Sequence, residues 1–271
     1  MAEPRRRQPL TDVLQDPLTG RRVVYAPGRS DRPGAWLPEL EPATEDELER
    51  CPFDAGREDR TPPETLRLGD PWQVRVVPNL YPAFDRQEVV IHSPEHVRSF
   101  AELDDDHVEL VAEAWQRRMA EEGGPALALV NEGRLAGSSL PHSHSQLVWL
   151  ELPDEPVNEL PRLLERHPVL HRGDVVAAVH PVGAAPYESL IGPREHDGEL
   201  ADGLLLLRDV VRRLQRLEGH RPWNAWLHPG PPWHLHLVPR LTALAGIELG
   251  AGIYVNVIPP ERAAERLRTT S

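Results

Sequence analysis

At 271 residues the chain is long enough for one large or two modest domains with a real core, and 27% charged residues mark it as globular rather than disordered. Its formal net charge of −13 argues against general nucleic-acid binding, and no apolar run reaches the roughly 20 residues of a membrane span. Its one cysteine, Cys51, excludes an internal disulfide and fits a reducing cytoplasm, and Met1 to Arg7 lead into no apolar stretch of the kind a signal peptide needs.

Taken in order, Asp16 to Gly20 reads as a turn, Arg22 to Tyr25 as a short strand, and the loop behind it carries Arg29 and Arg32. Residues 33–70, rich in proline and acid, read as mostly loop, with Cys51-Pro-Phe-Asp54 inside them. Strands are predicted over 72–77 and 88–92, a helix over 104–121 opened by three acids at the positive end of its dipole, and a strand over 126–131. A loop then leads into Ser138-Ser139-Leu-Pro-His142-Ser-His144-Ser-Gln146-Leu-Val-Trp149. In an extended strand alternate side chains share a face, roughly 6.6 Å apart, so His142, His144 and Gln146 line one side and Ser143 and Ser145 the other.

The second half repeats this order. Val175 to Val179 answers 72–77, Glu188 to His196 answers Glu88 to His96, and a leucine-rich helix over 200–214 closes at Gly219. Trp223 to His228 answers the strand at 126–131, and Trp233-His234-Leu-His236 to Arg240 answers the first His-x-His. The reading is an α+β protein made by internal duplication of an antiparallel sheet plus helix, with halves 1–160 and 161–271 joined near 153–170. The glycine-rich tail 244–258 reads as β-like, and Pro259-Pro-Glu261 opens a short helix over 262–268. No lysine occurs, which excludes a P-loop lysine, a Schiff base and a lysine nucleophile. With 13 copies, histidine is the obvious covalent nucleophile if there is one.

These residues resemble the galactose-1-phosphate uridylyltransferase family of the histidine-triad superfamily. The likeness runs from Asp16-Pro-Leu-Thr-Gly20 to Glu261–Arg268, and its most specific part is Asn131-Glu-Gly-Arg-Leu-Ala-Gly137-Ser-Ser139-Leu-Pro-His142-Ser-His144-Ser-Gln146. The Ser-His-Ser-Gln core is closer to the ADP-glucose phosphorylase branch than to the His-Pro-His-Gly-Gln of the galactose enzymes. The resemblance implies that His144 is the nucleophile, attacking the α-phosphorus of a nucleoside diphosphate sugar in a ping-pong exchange with a sugar 1-phosphate. UMP is the expected cargo. Gln146 donates a hydrogen bond to the phosphoryl oxygen and, as an amide, is neither acid nor base, which favours transfer over hydrolysis.

The resemblance further implies that backbone amides of Gly137, Ser138 and Ser139 cradle phosphate, that Arg29 and Arg32 neutralise it, and that Asn79, Asn131 and Glu248 contact nucleotide and sugar. It also implies two structural metal sites. One is zinc on Cys51, Asp54, His96 and His142, with Asp54 in place of a family cysteine; the other is zinc or iron on Glu159, His228, His234 and His236. His196, the echo of His96, is expected to ligate nothing. A cytoplasmic homodimer is expected, without nucleic-acid or membrane partners. Alternatives are a phosphorylase that uses inorganic phosphate as acceptor, a histidine-triad hydrolase, and a metal-braced protein that binds nucleotides without turning them over.

Overall fold

The computed structural model describes residues 12–30, 36–153, 156–195 and 198–270. Its elements in chain order are β1 (Leu14–Gln15), β2 (Arg22–Tyr25), α1 (Glu45–Arg50), β3 (Leu66–Leu68), β4 (Val74–Pro78), β5 (Gln87–Ile91), α2 (Asp105–Glu122), β6 (Ala126–Glu132) and β7 (His144–Trp149). They continue with α3 (Leu160–Arg166), β8 (Pro168–Arg172), β9 (Val175–Val179), β10 (Ser189–Pro193), α4 (Leu200–Glu218), β11 (Trp223–His228), β12 (His234–Pro239), α5 (Gly246–Ala251), β13 (Ile253–Asn256) and α6 (Pro260–Thr269).

The fold is α+β. Ten antiparallel strands form one sheet in the order β3-β4-β5-β7-β6-β11-β12-β10-β9-β8. Read inward from its two edges, the sheet repeats itself: β3-β4-β5-β7-β6 from one side and β8-β9-β10-β12-β11 from the other. The centre is the β6–β11 pair, with Asn131 opposite Asn224. A small second sheet, β1-β2-β13, has β13 parallel to β2.

Alternation along the strands divides the sheet's two faces. Ala128 and Val130 of β6, Ala225 and Leu227 of β11, and Leu235 and Leu237 of β12 join one core with α2 and α4. Helix α2 starts where the Asp104 carboxylate accepts from the amide of His107 at 2.9 Å, and it buries Val108, Val111, Ala112 and Trp115 at helical spacing. It ends at Gly123, whose φ of +65° a residue with a Cβ rarely adopts. The opposite face carries Leu160, Leu163 and Leu164 of α3 over Val176, Ala178 and Leu190, and Cys51, Phe53 and Trp72 over Val77, Val89 and Ile91. His144 emerges on that second face.

Three stretches hold elements that the sequence reading did not assign: the expected loop 33–70, the join between the halves and the expected β-like tail. Residues 33–70 hold α1 and β3; the one apolar residue of α1, Leu48, is exposed, so no apolar period betrayed the helix, although Thr44 accepting from the Glu47 amide at 3.1 Å is a cap its sequence carries. The join between the halves holds α3 and β8. The tail holds α5 before its strand, a six-residue helix with two glycines and no buried residue. Strand pairing in the motif begins at His144 opposite Ile91, two residues later than the first histidine.

Candidate functional site

His144 is the first residue of β7 and 7% exposed. Its Nδ1 lies 2.8 Å from the carbonyl of His142, which only accepts, so Nδ1 carries the proton and Nε2 carries the lone pair. Burial pushes its pKa below the usual histidine range. The ring of Phe53 meets it edge-on at 5.5 Å and meets His142 at 5.8 Å. On the far side of the strand, His92 is fully buried and touches Ser143 Oγ and Ser145 Oγ, both at 2.9 Å. The Trp115 indole of α2 donates to Ser145 Oγ at 2.8 Å. The two serines that interleave the motif are thus a brace to β5 and α2. Sequence reasoning assigned His92 no part in it; the signal available was a histidine closing the strand next to a Ser-x-Ser.

Gln146 is half-buried, and its Oε1 accepts from Gln87 Nε2 at 2.5 Å. Asn131, two strands' width from β5 on β6, accepts from Asn224 of β11 at 2.7 Å, and the same Asn224 amide donates to the Ala136 carbonyl at 2.7 Å. That pair fastens the loop 133–139 to the central seam. Gly137 has a φ of +96°, and its amide donates to Arg134 O at 3.0 Å; the Ser138 amide donates to Gly133 O at 3.2 Å. Two of the three amides expected to cradle phosphate therefore already serve the turn, and Ser139, on the exposed side, is the third. A cavity of about 650 Å³ opens against Ser138, Ser139, Arg134, Arg98 and Cys51 and stops short of His144.

Asn79 follows β4; its Oδ1 accepts from the Tyr81 amide at 2.9 Å, closing the turn into an exposed Leu80–Tyr81. Arg29 is exposed at the end of a 3-10 turn, and Arg32 lies outside the described residues, as does His196. Glu248 accepts from the Ala245 amide at 2.9 Å and caps α5.

The sulfur of Cys51, an oxygen of Asp54 and one nitrogen each of His96 and His142 lie within 4.8 Å of one another. Asp54 Oδ1 is 2.8 Å from His96 Nδ1 and 3.0 Å from His142 Nδ1, and Cys51 Sγ is 3.4 Å from the latter. His142 Nε2 faces the Ser93 carbonyl at 3.1 Å and His96 Nε2 faces the Glu47 carboxylate at 3.1 Å, so with both rings neutral the protons sit on Nε2 and the two Nδ1 lone pairs converge on the Asp54 carboxylate. In that state a cation between the facing acceptors would satisfy them. Burial pushes the Cys51 thiol up to about 12, so its thiolate also needs one. The donor set fits a tetrahedral metal ion. Glu47, which also pairs with Arg98 at 2.7 Å, is placed to orient His96 if that ring ligates a metal, a neighbour that sequence reasoning missed.

His228, His234 and His236, all buried, form a second group with ligand atoms within 4.8 Å. Trp226 stacks on His236 at 4.9 Å and its indole donates to His228 Nε2 at 2.9 Å. Three imidazoles suit a borderline transition metal. Glu159 does not join them: it stands at the start of α3 with its carboxylate 3.5 Å from Arg162. His180 lies 6.3 Å from the His236 ring instead, and pairs with the buried Asp16 at 3.2 Å, holding that carboxyl down at about 2 against its burial.

Residues 81–152, which span β5 to β7 and include the His-x-His-x-Gln strand, match the family model described as galactose-1-phosphate uridyl transferase, N-terminal domain. The chain resembles the galactose-1-phosphate uridylyltransferase family. An ADP-glucose phosphorylase of Arabidopsis thaliana is 26% identical, with 96% of this chain and 93% of the relative covered. A galactose-1-phosphate uridylyltransferase of Streptomyces lividans is also 26% identical, over 95% and 86%. In fold, the crystal structure of an ADP-glucose phosphorylase from Arabidopsis thaliana with bound ADP-glucose aligns with a TM-score of 0.82 at 24% identity, covering 97% of this chain and 100% of that one. Among the described residues no helix is long and apolar enough to cross a membrane.

Proposed function

We propose that the protein transfers a nucleoside monophosphate from a nucleoside diphosphate sugar to a phosphate-bearing acceptor through His144. The observation that carries this reading is the tautomer: with Nδ1–H committed to the His142 carbonyl, Nε2 is a neutral nucleophile. Its lone pair attacks the α-phosphorus, the bond from that phosphorus to the bridging oxygen breaks, and sugar 1-phosphate leaves with the electron pair. An oxygen of the second phosphate then attacks the same phosphorus, the P–N bond breaks, and the imidazole is restored. Gln146 donates to the phosphoryl oxygen in both steps, and Ser139, Arg29 and Arg32 supply further donors. Two structural metal ions, zinc on Cys51, Asp54, His96 and His142 and zinc or iron on the three-histidine group, hold the strand ends in place. The resemblance implies a homodimer.

Two acceptors are consistent with this chemistry. Exchange between hexose 1-phosphates, with UMP as cargo, follows the galactose enzymes. Attack by inorganic phosphate, releasing a nucleoside diphosphate, is favoured by the likeness to ADP-glucose phosphorylase over 96% of the chain and by the Ser-His-Ser-Gln core.

Intact-mass measurement after exposure to UDP-, ADP- and GDP-sugars tests the step they share. The expected result is one nucleotidyl group per chain, its mass naming the base, discharged by either inorganic phosphate or a hexose 1-phosphate. His144→Ala should form no adduct, and His144→Gly should regain turnover with free imidazole. Exchange that persists in purified His144→Ala would remove this histidine from the mechanism.

A further inference from the structure

Gln146 can give the phosphoryl oxygen a hydrogen bond only if its amide is turned the right way, because the same side chain rotated by half a turn presents a carbonyl oxygen. What turns it is legible from a fixed starting point. The backbone amide of Ala83 is unambiguously a donor, and it lies 2.9 Å from Gln87 Oε1. That assigns the oxygen end of Gln87, so its other end, Nε2, is the donor that meets Gln146 at 2.5 Å. The atom of Gln146 receiving it must be Oε1. Both N–H groups of Gln146 are then left directed away from Gln87, on the strand face from which His144 also emerges two residues earlier.

We infer that Gln87 is a positioning residue that fixes the amide of Gln146 as a donor toward the reacting phosphate. Gln87 is well placed for it. It opens β5 beside β7 and its carbonyl accepts from the Asn79 amide at 2.9 Å, so its backbone closes the same loop whose Ala83 amide orients its side chain. The loop 79–87 is thereby coupled to the site through one hydrogen-bond chain that runs in a single direction: backbone N–H, Gln87, Gln146, phosphate. A donor pre-aimed at a developing charge is worth about 10² to 10³ in rate when it is lost outright; an amide that has lost only its orienting partner spends part of its time reversed and loses less.

The inference rests on the nucleotidyl-transfer reading, and its test separates the two. The rate of adduct formation at saturating nucleotide sugar, and the sugar concentration for half that rate, are measured for the full chain and for Gln87→Met, Gln87→Glu, Gln146→Ala and both double variants. Gln87→Met is expected to slow adduct formation about tenfold with half-saturation within about twofold of the parent. Gln87→Glu, which can only accept at that position, should reverse Gln146 and slow it about 10²-fold. In the Gln146→Ala background neither substitution at 87 should change the rate by more than about twofold, because a residue acting through Gln146 has nothing left to act on.

A Gln87→Glu effect that persists undiminished in Gln146→Ala would assign the loss to the new charge and overturn the inference, as would a Gln87→Met enzyme as fast as the parent or one altered in half-saturation alone. A parent chain that forms no adduct with any nucleotide sugar overturns the functional reading itself. An active parent indifferent to position 87 overturns this inference alone.

Discussion

Glu132 ends β6 one residue after Asn131, and its carboxyl is 6% exposed behind the 133–139 loop. One oxygen accepts from Ser99 Oγ at 2.8 Å and the other from the Phe100 amide at 2.9 Å. Burial outweighs those two donors and pushes the pKa up to about 7. Because the folded-state value lies above the ordinary 4.5 of the unfolded chain, the folded state holds the proton more tightly. The stability this brings is full below about pH 4.5 and is lost as pH rises toward 7, by about 3 kcal/mol in all. Glu132→Gln keeps the shape, can accept from Phe100 and donate to Ser99, and cannot ionise. The stability of Glu132→Gln relative to the parent should therefore rise by about 3 kcal/mol between pH 4.5 and pH 8, read from urea midpoints at each pH. All other titrating groups are common to both chains and cancel. A difference that stays flat with pH would mean that folding leaves the Glu132 pKa where it is in the unfolded chain.

The elements around Cys51, Asp54, His96 and His142 meet at one point although they come from the end of α1, the loop behind it, the loop after β5 and the entry to β7. A bound ion would tie all four to the strand that begins with His144. Glu47 extends the tie into α1, since its carboxylate receives the Nε2–H of His96. Glu47→Gln preserves a carbonyl acceptor there and removes the charge that raises the basicity of the imidazole. Zinc affinity, measured by competition with a chromophoric chelator, should fall about 10- to 100-fold. Unchanged affinity would make Glu47 only the partner of Arg98.

This level also explains what the sequence did and did not disclose. Trp223 to His228 and the long helices α2 and α4 declare themselves by apolar residues at a regular spacing on the face that meets the core, and Val175 to Val179 by an unbroken apolar run buried on both faces of the sheet. Helix α1 has no buried residue and owes its place to a cap and to the Cys51 corner, a tertiary constraint without a periodic signature. Of the second metal group, the three histidines sit on paired strands β11 and β12 and were legible as a spacing. Glu159 stands at the start of α3, and spacing from Leu152-Pro153 says nothing of where its carboxylate points. His92 and Gln87 were hidden for another reason. Their role depends on which strand lies next to β7, and that register follows from the fold rather than from any local pattern.

At the scale of the whole molecule, the repeat visible in the strand order has been merged into one sheet. We propose that the chain divides at 160/161 into its two duplicated halves, and the seam decides whether either is a unit of folding. Along it, Leu129 pairs with Trp226 and Val130 with Ala225 in the β6–β11 ladder. Beneath it a single core mixes Val76, Trp115 and Val130 of the first half with Leu204, Leu207 and Leu237 of the second, and Arg208 of α4 reaches Asp105 of α2 at 2.6 Å. Cutting at 160/161 would leave β6 as a bare edge with unpaired amides and carbonyls, and would strip one wall from the apolar surface of α2. Residues 1–160 expressed alone should therefore aggregate or lack a cooperative unfolding transition, by size-exclusion chromatography and thermal circular dichroism. Co-expression with 161–271 should restore a soluble complex that unfolds in one step, because the two fragments together recover the ladder and the shared core. A monomeric 1–160 fragment with a sharp transition of its own would show that each half closes its own core, and that the seam is a docking surface between finished domains rather than the middle of one sheet.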